Sequence, residues 1–463
     1  MNNQQSGTLL GHPKGLFLLF GTELWERFSY YAMRAILVLY LTDKTMDGGL
    51  GWTTQDALSL YGIYTGLVYI TPLIGGWIAD NYLGQRRSII IGGILMSLGQ
   101  FTLALPHSVI DPYAVNVFYA GLGLLIIGNG LFKPNISTMV GDLYKDGDNR
   151  RDGAFTIFYM GINLGSLLAG IIAGTASAVY GWKAGFLTAG IGMLISLVTQ
   201  LIYAERLLGN IGKVPAAKRA AAMNKSGKQE PLTKVERDRL KVIMIMGLFV
   251  VIFWAGFEQA GGLMNIFSQQ YTDRMIGSFE VPAAWFQSLN PFFVITMAPI
   301  IAAIWVKLGP KEPSSPVKFA MGLFFLAAGF LCMIGAVMQQ GGDITVKTSM
   351  LWLVGAYFFH TLGELCLSPI GLSLVTKLAP LRLASLMMGT WFGFNAVANY
   401  VAGIIGAHVG ESGPMAIFSG IAIAATASGV LLLLCSNHLI GWMHGAEGKQ
   451  VKDDAIDVQP VEA

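Results

Sequence analysis

The sequence contains little charge and few cysteines. Asp, Glu, Lys and Arg make up only 12% of its 463 residues, about half the share of a typical soluble domain. Hydrophobic residues account for 54%, and the mean hydropathy is +0.57. The three cysteines, Cys332, Cys366 and Cys435, lie in apolar segments and show neither a disulfide framework nor metal-ligand spacing. The composition therefore predicts a polytopic membrane protein with no metal site and no cofactor.

Other function classes also lack their sequence signatures. The formal net charge is only +3 and the basic residues are scattered among loops, so we expect no nucleic-acid binding. No nucleophile stands with a base and no cluster of metal ligands is visible, which argues against a membrane peptidase or another enzyme. No small-residue cleavage site follows the first apolar segment, which is therefore predicted to be a span and not a signal peptide.

Long apolar segments dominate the sequence. A helix crosses a bilayer in about 20 residues, and we predict twelve such helices. They lie near residues 15–41, 57–80, 87–107, 113–140, 153–178, 182–203, 240–269, 282–307, 317–338, 348–376, 383–409 and 415–442. Residues 204–239 form a polar stretch, predicted to be a cytoplasmic linker between a six-helix bundle at 1–203 and another at 240–442. Residues 443–463 are predicted to be a disordered cytoplasmic tail.

Basic residues indicate the orientation of these spans. Loops after even-numbered spans carry more Lys and Arg than loops after odd-numbered spans. The basic residues in the even-numbered loops include Arg86, Arg87, Lys145, Arg150 and Lys311. Cytoplasmic loops of membrane proteins carry such an excess. Both termini are therefore predicted to be cytoplasmic.

The two halves of the chain resemble each other at an offset of about 232 to 235 residues. The matching pairs are GLF at 15–17 and 247–249, GNGLFKPNI at 128–136 and GELCLSPIG at 363–371, and GINLGSLLAGIIAG at 161–174 and GFNAVANYVAGIIGA at 393–407. Parallel six-helix repeats are typical of two-domain secondary transporters, whose substrate site lies near the midplane between the halves.

The first apolar segment carries charges on one face. At about 100° per residue, six of its charged and tyrosine residues fall within an arc of about 140°. They are Glu23, Glu26, Arg27, Tyr30, Tyr31 and Arg34. A charge at the bilayer centre costs about 2.5 to 3.5 kcal/mol, so this face must contact protein or a watery cavity. Structural ion pairs between helices would explain the charges, but intramembrane ionisable residues more often mark a transport pathway.

Few other ionisable residues lie deep in the predicted spans, and they include Lys133, Glu258 and Glu364. A cavity lined by these acids and bases can hold a zwitterion, with one end near a carboxylate and the other near a guanidinium or ammonium group. A buried carboxylate can also take up a proton near neutral pH. A carboxylate that changes partners as the cavity opens can therefore carry protons.

Hydroxyl, amide and indole groups accompany the charges. They can satisfy peptide groups or form walls for side chains, although each taken alone is more often an interface anchor or a packing residue. They are Tyr30, Tyr31, Tyr69, Asn163, Asn290, Trp254 and Trp391. At the cytoplasmic rim, Asp80 lies close in sequence to Arg86 and Arg87. This spacing predicts a charge clasp that acts as a gate and not as a substrate site.

Several long motifs resemble those of the proton-dependent oligopeptide transporter (POT) family, a branch of the major facilitator superfamily. They are ELWERFSYY at 23–31, GNGLFKPNIST at 128–138, DGAFTIFYMGINLGS at 152–166, FQSLNP at 286–291 and GELCLSPIGLSLVTKLAP at 363–380. The resemblance covers nearly the whole chain and implies an all-α major facilitator fold of two six-helix bundles. Many bacterial relatives carry two extra helices between the bundles, but residues 204–239 are too short and too polar for them.

The resemblance also implies roles for individual residues. Glu23, Glu26 and Arg27 resemble the proton-coupling motif, and we add Glu258 to this group. Lys133 and Glu364 would form an ion pair between the halves that also recognises the carboxyl and amino ends of a peptide. Arg34 and Glu258 would form a second pair, and we include all four among the substrate-binding residues. The positions implied to line the peptide cavity are Tyr30, Tyr31, Tyr69, Asn163, Trp254, Asn290, Ser368 and Trp391.

The sequence therefore predicts a proton-coupled symporter that imports di- and tripeptides across the bacterial cytoplasmic membrane by alternating access. We expect it to function as a monomer in the lipid bilayer. The intact acidic motif on the first span favours peptides over nitrate. A carrier of nitrate or of a peptide-like drug, and a sensor that binds peptides without transporting them, remain as alternatives.

Overall fold

The computed structural model is almost entirely helical. It describes residues 8–145, 148, 150–215, 232–380 and 383–446. Within these residues, twelve long helices follow one another along the chain. They are α1 (Lys14–Thr42), α2 (Thr54–Ile78), α3 (Gln85–Ala104), α4 (Ala114–Asp142), α5 (Arg150–Tyr180), α6 (Trp182–Leu208), α7 (Lys234–Phe257), α8 (Leu289–Leu308), α9 (Ser315–Gln340), α10 (Met350–Leu378), α11 (Ala384–Ala407) and α12 (Val409–Trp442).

Short elements connect the long helices. A second helix, Leu263–Tyr271, continues α7 after the 3-10 turn Glu258–Ala260. The other helical turns are Thr45–Asp47, Ala79–Leu83, His107–Ile110, Ala283–Ser288 and Gly309–Lys311. The described residues also form three two-stranded ladders: Thr8–Leu9 with His12–Pro13 and Met275–Ile276 with Phe279–Glu280, both antiparallel, and Thr272–Asp273 with Thr348–Ser349, which is parallel.

Most of the long helices have the length and composition of membrane spans. In the described part of the chain, ten helices qualify, and α1 and α11 are not among them. In α1 the reason is its charges, which the fold keeps away from the outer surface: Glu23, Glu26 and Arg27 are all at least 96% buried. Burial inside protein removes the cost that these charges would have against lipid.

Capping residues set several helix boundaries. The Thr53 hydroxyl accepts a hydrogen bond from the Asp56 backbone N–H at 3.1 Å and begins α2. Thr233 and Glu236 form a capping box that begins α7. The predicted linker, 204–239, thus includes the end of α6 and the start of α7, while residues 216–231 lie outside the described part. Of the predicted tail, residues 447–463 also lie outside it.

Helices from each half of the chain pack mainly with one another. In the N-terminal half, residues 8–215, α1 packs against α5 and α6, and α4 packs against α2 and α3. In the C-terminal half, residues 232–446, α9 packs against α10 and α12, and α7 packs against α11. Contacts between the halves include α2 with α11 and α5 with the turn Ala283–Ser288. The helices α2, α5 and α11 therefore lie at the boundary between the two halves.

A close glycine contact joins the halves at one end of these helices. A Cβ atom added to Gly62 of α2 would lie 2.6 Å from the Gly403 Cα of α11, closer than real Cβ atoms approach other atoms. Only residues without side chains allow this separation of the two backbones. Gly62 is early in α2 and Gly403 is late in α11, so the contact lies on the side of the molecule opposite the termini.

Candidate functional site

A cavity of about 240 Å³ lies between the two halves. Glu23, Lys133, Trp254 and Glu364 supply lining groups from α1, α4, α7 and α10. The complete lining is Glu23, Arg27, Tyr31, Tyr69, Lys133, Ser137, Tyr159, Ile162, Asn163, Ser166, Trp254, Asn290, Glu364, Leu367, Ser368, Leu372, Trp391, Phe392 and Asn395. Eleven of the residues predicted for the site thus line one cavity. We call it the central cavity.

The central cavity extends from the middle of the helices towards the side of the termini. Glu23 and Phe392 lie early in α1 and α11, which start on that side, and Ser137 and Leu372 lie late in α4 and α10, which end there. The glycine contact between α2 and α11 lies on the opposite side. The cavity therefore occupies the half of the molecule nearer the termini.

Arg27 holds the acidic cluster of α1 together. Its Nη2 donates a hydrogen bond to Glu26 Oε1 at 2.6 Å, and its Nε bonds to the other oxygen of the same carboxylate. Arg27 Nε also lies 3.2 Å from Glu23 Oε1. Glu23 and Arg27 line the central cavity, whereas Glu26 is fully buried behind them. One guanidinium therefore serves two carboxylates that differ in access to the cavity.

Lys133 and Glu364 face the same cavity without forming an ion pair. The Lys133 Nζ lies 4.2 Å from the centroid of the Tyr69 ring, a cation–π contact. A Glu364 oxygen accepts a hydrogen bond from Asn290 Nδ2 at 2.7 Å. Among the described residues the ion pair implied by the resemblance is thus absent from this conformation. Its two members come from opposite halves, which the central cavity separates, and each has a partner in its own half.

The second implied ion pair is present. Arg34 Nη2 of α1 bonds to the Glu258 carboxylate just beyond α7, and both side chains are at least 91% buried. The Tyr61 hydroxyl of α2 accepts a further hydrogen bond from Arg34 Nε at 2.7 Å. The pair crosses from one half to the other, on the side of the central cavity opposite the termini. A small space of about 30 Å³, lined in part by Tyr31, Arg34 and Asn290, lies next to it.

Hydrogen bonds close the same side further. Asn265 Nδ2 donates to the Ala35 carbonyl at 2.8 Å, and the Ser288 hydroxyl donates to the Leu167 carbonyl at 2.7 Å. Both bonds cross between the halves. The side opposite the termini is therefore held by an ion pair, backbone carbonyls and the Gly62–Gly403 contact.

The remaining predicted site residues take different places. Tyr30 does not line the central cavity; it is 96% buried, with its ring 5.2 Å from that of Tyr31. Arg86 contacts Glu205 at 3.0 Å and the Gly209 carbonyl at 2.9 Å, so it joins the start of α3 to the end of α6. Asp80 and Arg87 are exposed. The clasp of Asp80 with the two arginines stays a prediction, and Glu205 is an added partner for Arg86.

Several residues of the central cavity and of the closed side were not predicted from the sequence. Tyr61, Thr65 and Tyr69 follow one another at four-residue intervals on α2, and such polar spacing on one helix face would have pointed to Tyr61. Asn395 corresponds to Asn163 in the internal repeat, and both line the central cavity. The short side chains of Ser137 and Ser166 carry no sequence signal that would distinguish them from packing residues.

The comparisons with known proteins agree with this architecture. A sequence model described as the POT family matches residues 86–206 and 213–414. The chain belongs to the POT family. It is similar to the peptide transporter YePEPT of Yersinia enterocolitica, with 36% identity over 97% of this chain and 99% of the relative. A di-/tripeptide transporter of Lactococcus lactis subsp. cremoris is 36% identical over 84% of this chain and 88% of its own length.

Solved structures of POT family members share the fold. A crystal structure of a peptide transporter POT in complex with sulfate matches with a TM-score of 0.87 and 36% identity, covering 95% of this chain and 97% of that one. The fold is therefore that of a POT transporter. As a POT family member the chain is a multi-pass membrane transporter and not an enzyme. Within the part that the structure describes, no group of three His, Cys, Asp or Glu side chains is arranged to hold a metal ion.

Proposed function

We propose that the protein is a symporter that imports di- and tripeptides together with protons across the bacterial cytoplasmic membrane. The observation that carries this proposal is the central cavity itself, in which Lys133 and Glu364 face the same space from opposite halves without pairing. A zwitterion with a carboxylate at one end and an ammonium at the other complements that pair of charges. The names of the Yersinia and Lactococcus relatives support peptides as the zwitterions.

Each lining group has a role in this proposal. Lys133 binds the peptide carboxylate and Glu364 binds the amino group. Amide and hydroxyl groups of Tyr31, Tyr69, Asn163, Asn290 and Ser368 hydrogen-bond the peptide unit, and Trp254 and Trp391 form walls for its side chains. These contacts recognise the ends and backbone of the peptide, which all short peptides share.

Proton uptake releases an arginine from its carboxylate partner. An acid among Glu23, Glu26 and Glu258 takes a proton from outside and loses its hold on Arg27 or Arg34. Loss of the Arg34–Glu258 pair releases one of the contacts that close the side opposite the termini. The membrane potential, about 2.3 kcal/mol per charge per 100 mV, favours inward movement of that proton.

The proposed cycle needs two bundles of six helices that rock about the central cavity. With both termini in the cytoplasm, the present conformation faces inward, because the closed side is the one opposite the termini. Asp80, Arg86 and Arg87 act at the cytoplasmic rim as a gate. We propose that one chain is sufficient for the cycle.

Uptake by proteoliposomes tests this function. Labelled dialanine should accumulate in vesicles containing the protein when an inward proton gradient is imposed, and a proton ionophore should abolish the accumulation. Uptake of labelled nitrate instead of dialanine would favour the first alternative. Saturable dialanine binding without uptake would identify a sensor.

A leucine at Gly62 should prevent closure of the side opposite the termini. The Gly62→Leu side chain would overlap the backbone at Gly403, and overpacking of this kind costs about 1 to 3 kcal/mol. We expect the initial rate of dialanine uptake to fall about tenfold or more. Gly123→Leu is the matched control, since a Cβ atom at Gly123 has no neighbour within 4 Å. Equal rates for both variants would show that the glycine contact is not needed.

A further inference from the structure

A second cavity lies between the halves on the side opposite the termini. Its volume is about 190 Å³, and Ser177 of α5, Trp182 of α6, Gln269, Arg274 and Glu280 contribute to its lining. It shares no lining residue with the central cavity. We call it the outer cavity, because the proposed topology places it on the external side.

Arg274 is held in place at the outer cavity by two of its donors. Its Nη1 donates a hydrogen bond to the Val281 carbonyl at 2.6 Å, and its Nη2 pairs with Glu280 Oε1 at 2.6 Å. The side chain is only 11% exposed, although it lies in a connection between helices. Both contacts fix the guanidinium within the loop that joins α7 to α8.

The third nitrogen of the Arg274 guanidinium, Nε, has an unpaired N–H. Its Nε is buried and has no hydrogen-bond partner among the described residues. A buried N–H of a charged group without a partner is unfavourable, and Arg274 borders a cavity that can admit a ligand. An arginine fork presents its donors in the geometry that suits a carboxylate. The unpaired Nε–H therefore marks a position for an acceptor outside the described part of the chain, and a bound ligand can supply that acceptor.

Glu280 supplies the opposite charge. It is 61% exposed, so its pair with Arg274 is open to solvent on one side. Exposed ion pairs contribute little to stability and can exchange partners. A ligand carboxylate at Arg274 would compete with Glu280, and the released Glu280 carboxylate could then accept the ligand's ammonium group. Trp182 provides an aromatic wall, and its Nε1 is already bonded to Asp43 at 2.8 Å.

We propose that the outer cavity is a docking subsite for the zwitterionic ends of a peptide, with Arg274 binding the carboxylate and Glu280 the amino group. This inference rests on the proposed peptide transport. It assigns to the α7–α8 loop a peptide contact made before the central cavity is reached. Binding there raises the local concentration of peptide at the external side.

Cysteine protection tests the subsite without relying on transport. Ser177 borders the outer cavity and is partly exposed, so Ser177→Cys, made in a full chain with Cys332, Cys366 and Cys435 replaced by alanine, accepts a thiol reagent added outside. We expect dialanine to slow this labelling in a saturable way. We also expect protection to persist when Glu364→Gln disables the central cavity. Loss of protection in that background would overturn the proposal.

Variants at Arg274 provide the second arm. Arg274→Gln should raise the dialanine concentration for half-maximal protection about tenfold, the effect of one lost charge-assisted hydrogen bond. Arg274→Lys keeps the positive charge, so its dialanine concentration for half-maximal protection should lie between those of the unmodified protein and Arg274→Gln. Lys44→Gln removes an exposed cation that lies on the same side of the molecule and does not line the cavity, and it should change nothing. Protection that is unchanged in Arg274→Gln would overturn the assignment of the carboxylate to this residue.

Two further comparisons separate the possible explanations. Inorganic phosphate at the same concentration should not protect Ser177→Cys, and equal protection by phosphate would overturn a peptide subsite in favour of a general anion site. Dialanine uptake is measured on the same preparations. Protection without uptake would contradict the proposed transport and leave the subsite supported, whereas uptake without protection would contradict the subsite alone.

Discussion

Dialanine uptake by the Glu364→Gln protein should fall to at most about one-thirtieth of the unmodified rate. The substitution preserves the size of the side chain and its contact with Asn290 but removes the charge that we propose binds the peptide ammonium. Removing one partner of a buried charge pair costs about 2 to 5 kcal/mol, and 2 kcal/mol corresponds to about thirtyfold. Initial rates of labelled dialanine uptake, measured over a range of concentrations, give the loss in Vmax/KM.

Two variants define what the Glu364 result means. Lys133→Ala removes the opposite charge of the central cavity and should reduce uptake to a similar extent, since Lys133 faces the cavity with no ion-pair partner among the described residues. Glu411→Gln removes an exposed carboxylate near the start of α12 and should leave uptake unchanged. Normal dialanine transport by Glu364→Gln or by Lys133→Ala would eliminate the zwitterion mechanism.

Glu26→Gln should separate peptide movement from the proton gradient. Glu26 is fully buried and binds Arg27 through both carboxylate oxygens, so its neutral analogue mimics the protonated acid permanently. We expect accumulation driven by an imposed pH gradient to disappear, while exchange of labelled for unlabelled dialanine across the membrane continues. The two activities are measured on the same proteoliposomes, with and without the gradient.

The retained exchange is the internal control for folding of the Glu26→Gln protein. If exchange and driven accumulation were both lost, Glu26 would be needed for the conformational change and not only for coupling. Driven accumulation at the unmodified level would contradict the coupling role. In that case Glu23, which contacts the same arginine and faces the central cavity, would be the next acid to substitute.

The main features of the fold were predictable because they depend on long-range composition. Apolar segments of spanning length predict long helices wherever they occur, and each of the twelve long helices overlaps its predicted segment. The segment predicted at 240–269 is divided, since α7 ends at Phe257 and a separate helix begins at Leu263. Helix boundaries were less predictable. The polar segments at Ala204–Leu208 and Lys234–Arg239 are helical because helices extend beyond the apolar core of the bilayer. The start of α7 at Lys234 is set by the Thr233 cap and not by hydrophobicity.

The composition of the site was also predictable, but its pairing was not. A charged residue deep in an apolar segment can be recognised from the sequence as a candidate site residue. This criterion selected Glu23, Arg27, Lys133 and Glu364, all of which line one cavity. Whether two opposite charges touch depends on the separation of the two halves, which no local pattern specifies. The sequence is therefore compatible with a closed Lys133–Glu364 pair, whereas this conformation holds the two residues apart.

Arg34 and Arg86 illustrate the same limit. The Arg34–Glu258 pair followed from the resemblance, but the Tyr61 hydroxyl that orients Arg34 comes from a different helix with no charge to reveal it. Arg86 was predicted to interact with its neighbour in sequence, Asp80, and its contact with Glu205 requires the packing of α3 against α6. Partners that are distant in the chain become visible only when the packing is known.

The most direct test of the central claim, that one cavity exchanges a peptide and a proton, is the pH inside proteoliposomes after dialanine is added outside. The experiment starts without a pH gradient and uses an internal pH-sensitive dye. Our account predicts that the vesicle interior becomes acidic as dialanine enters, and that Glu26→Gln vesicles admit dialanine without this change. Entry of dialanine into vesicles of the unmodified protein at constant internal pH would contradict it.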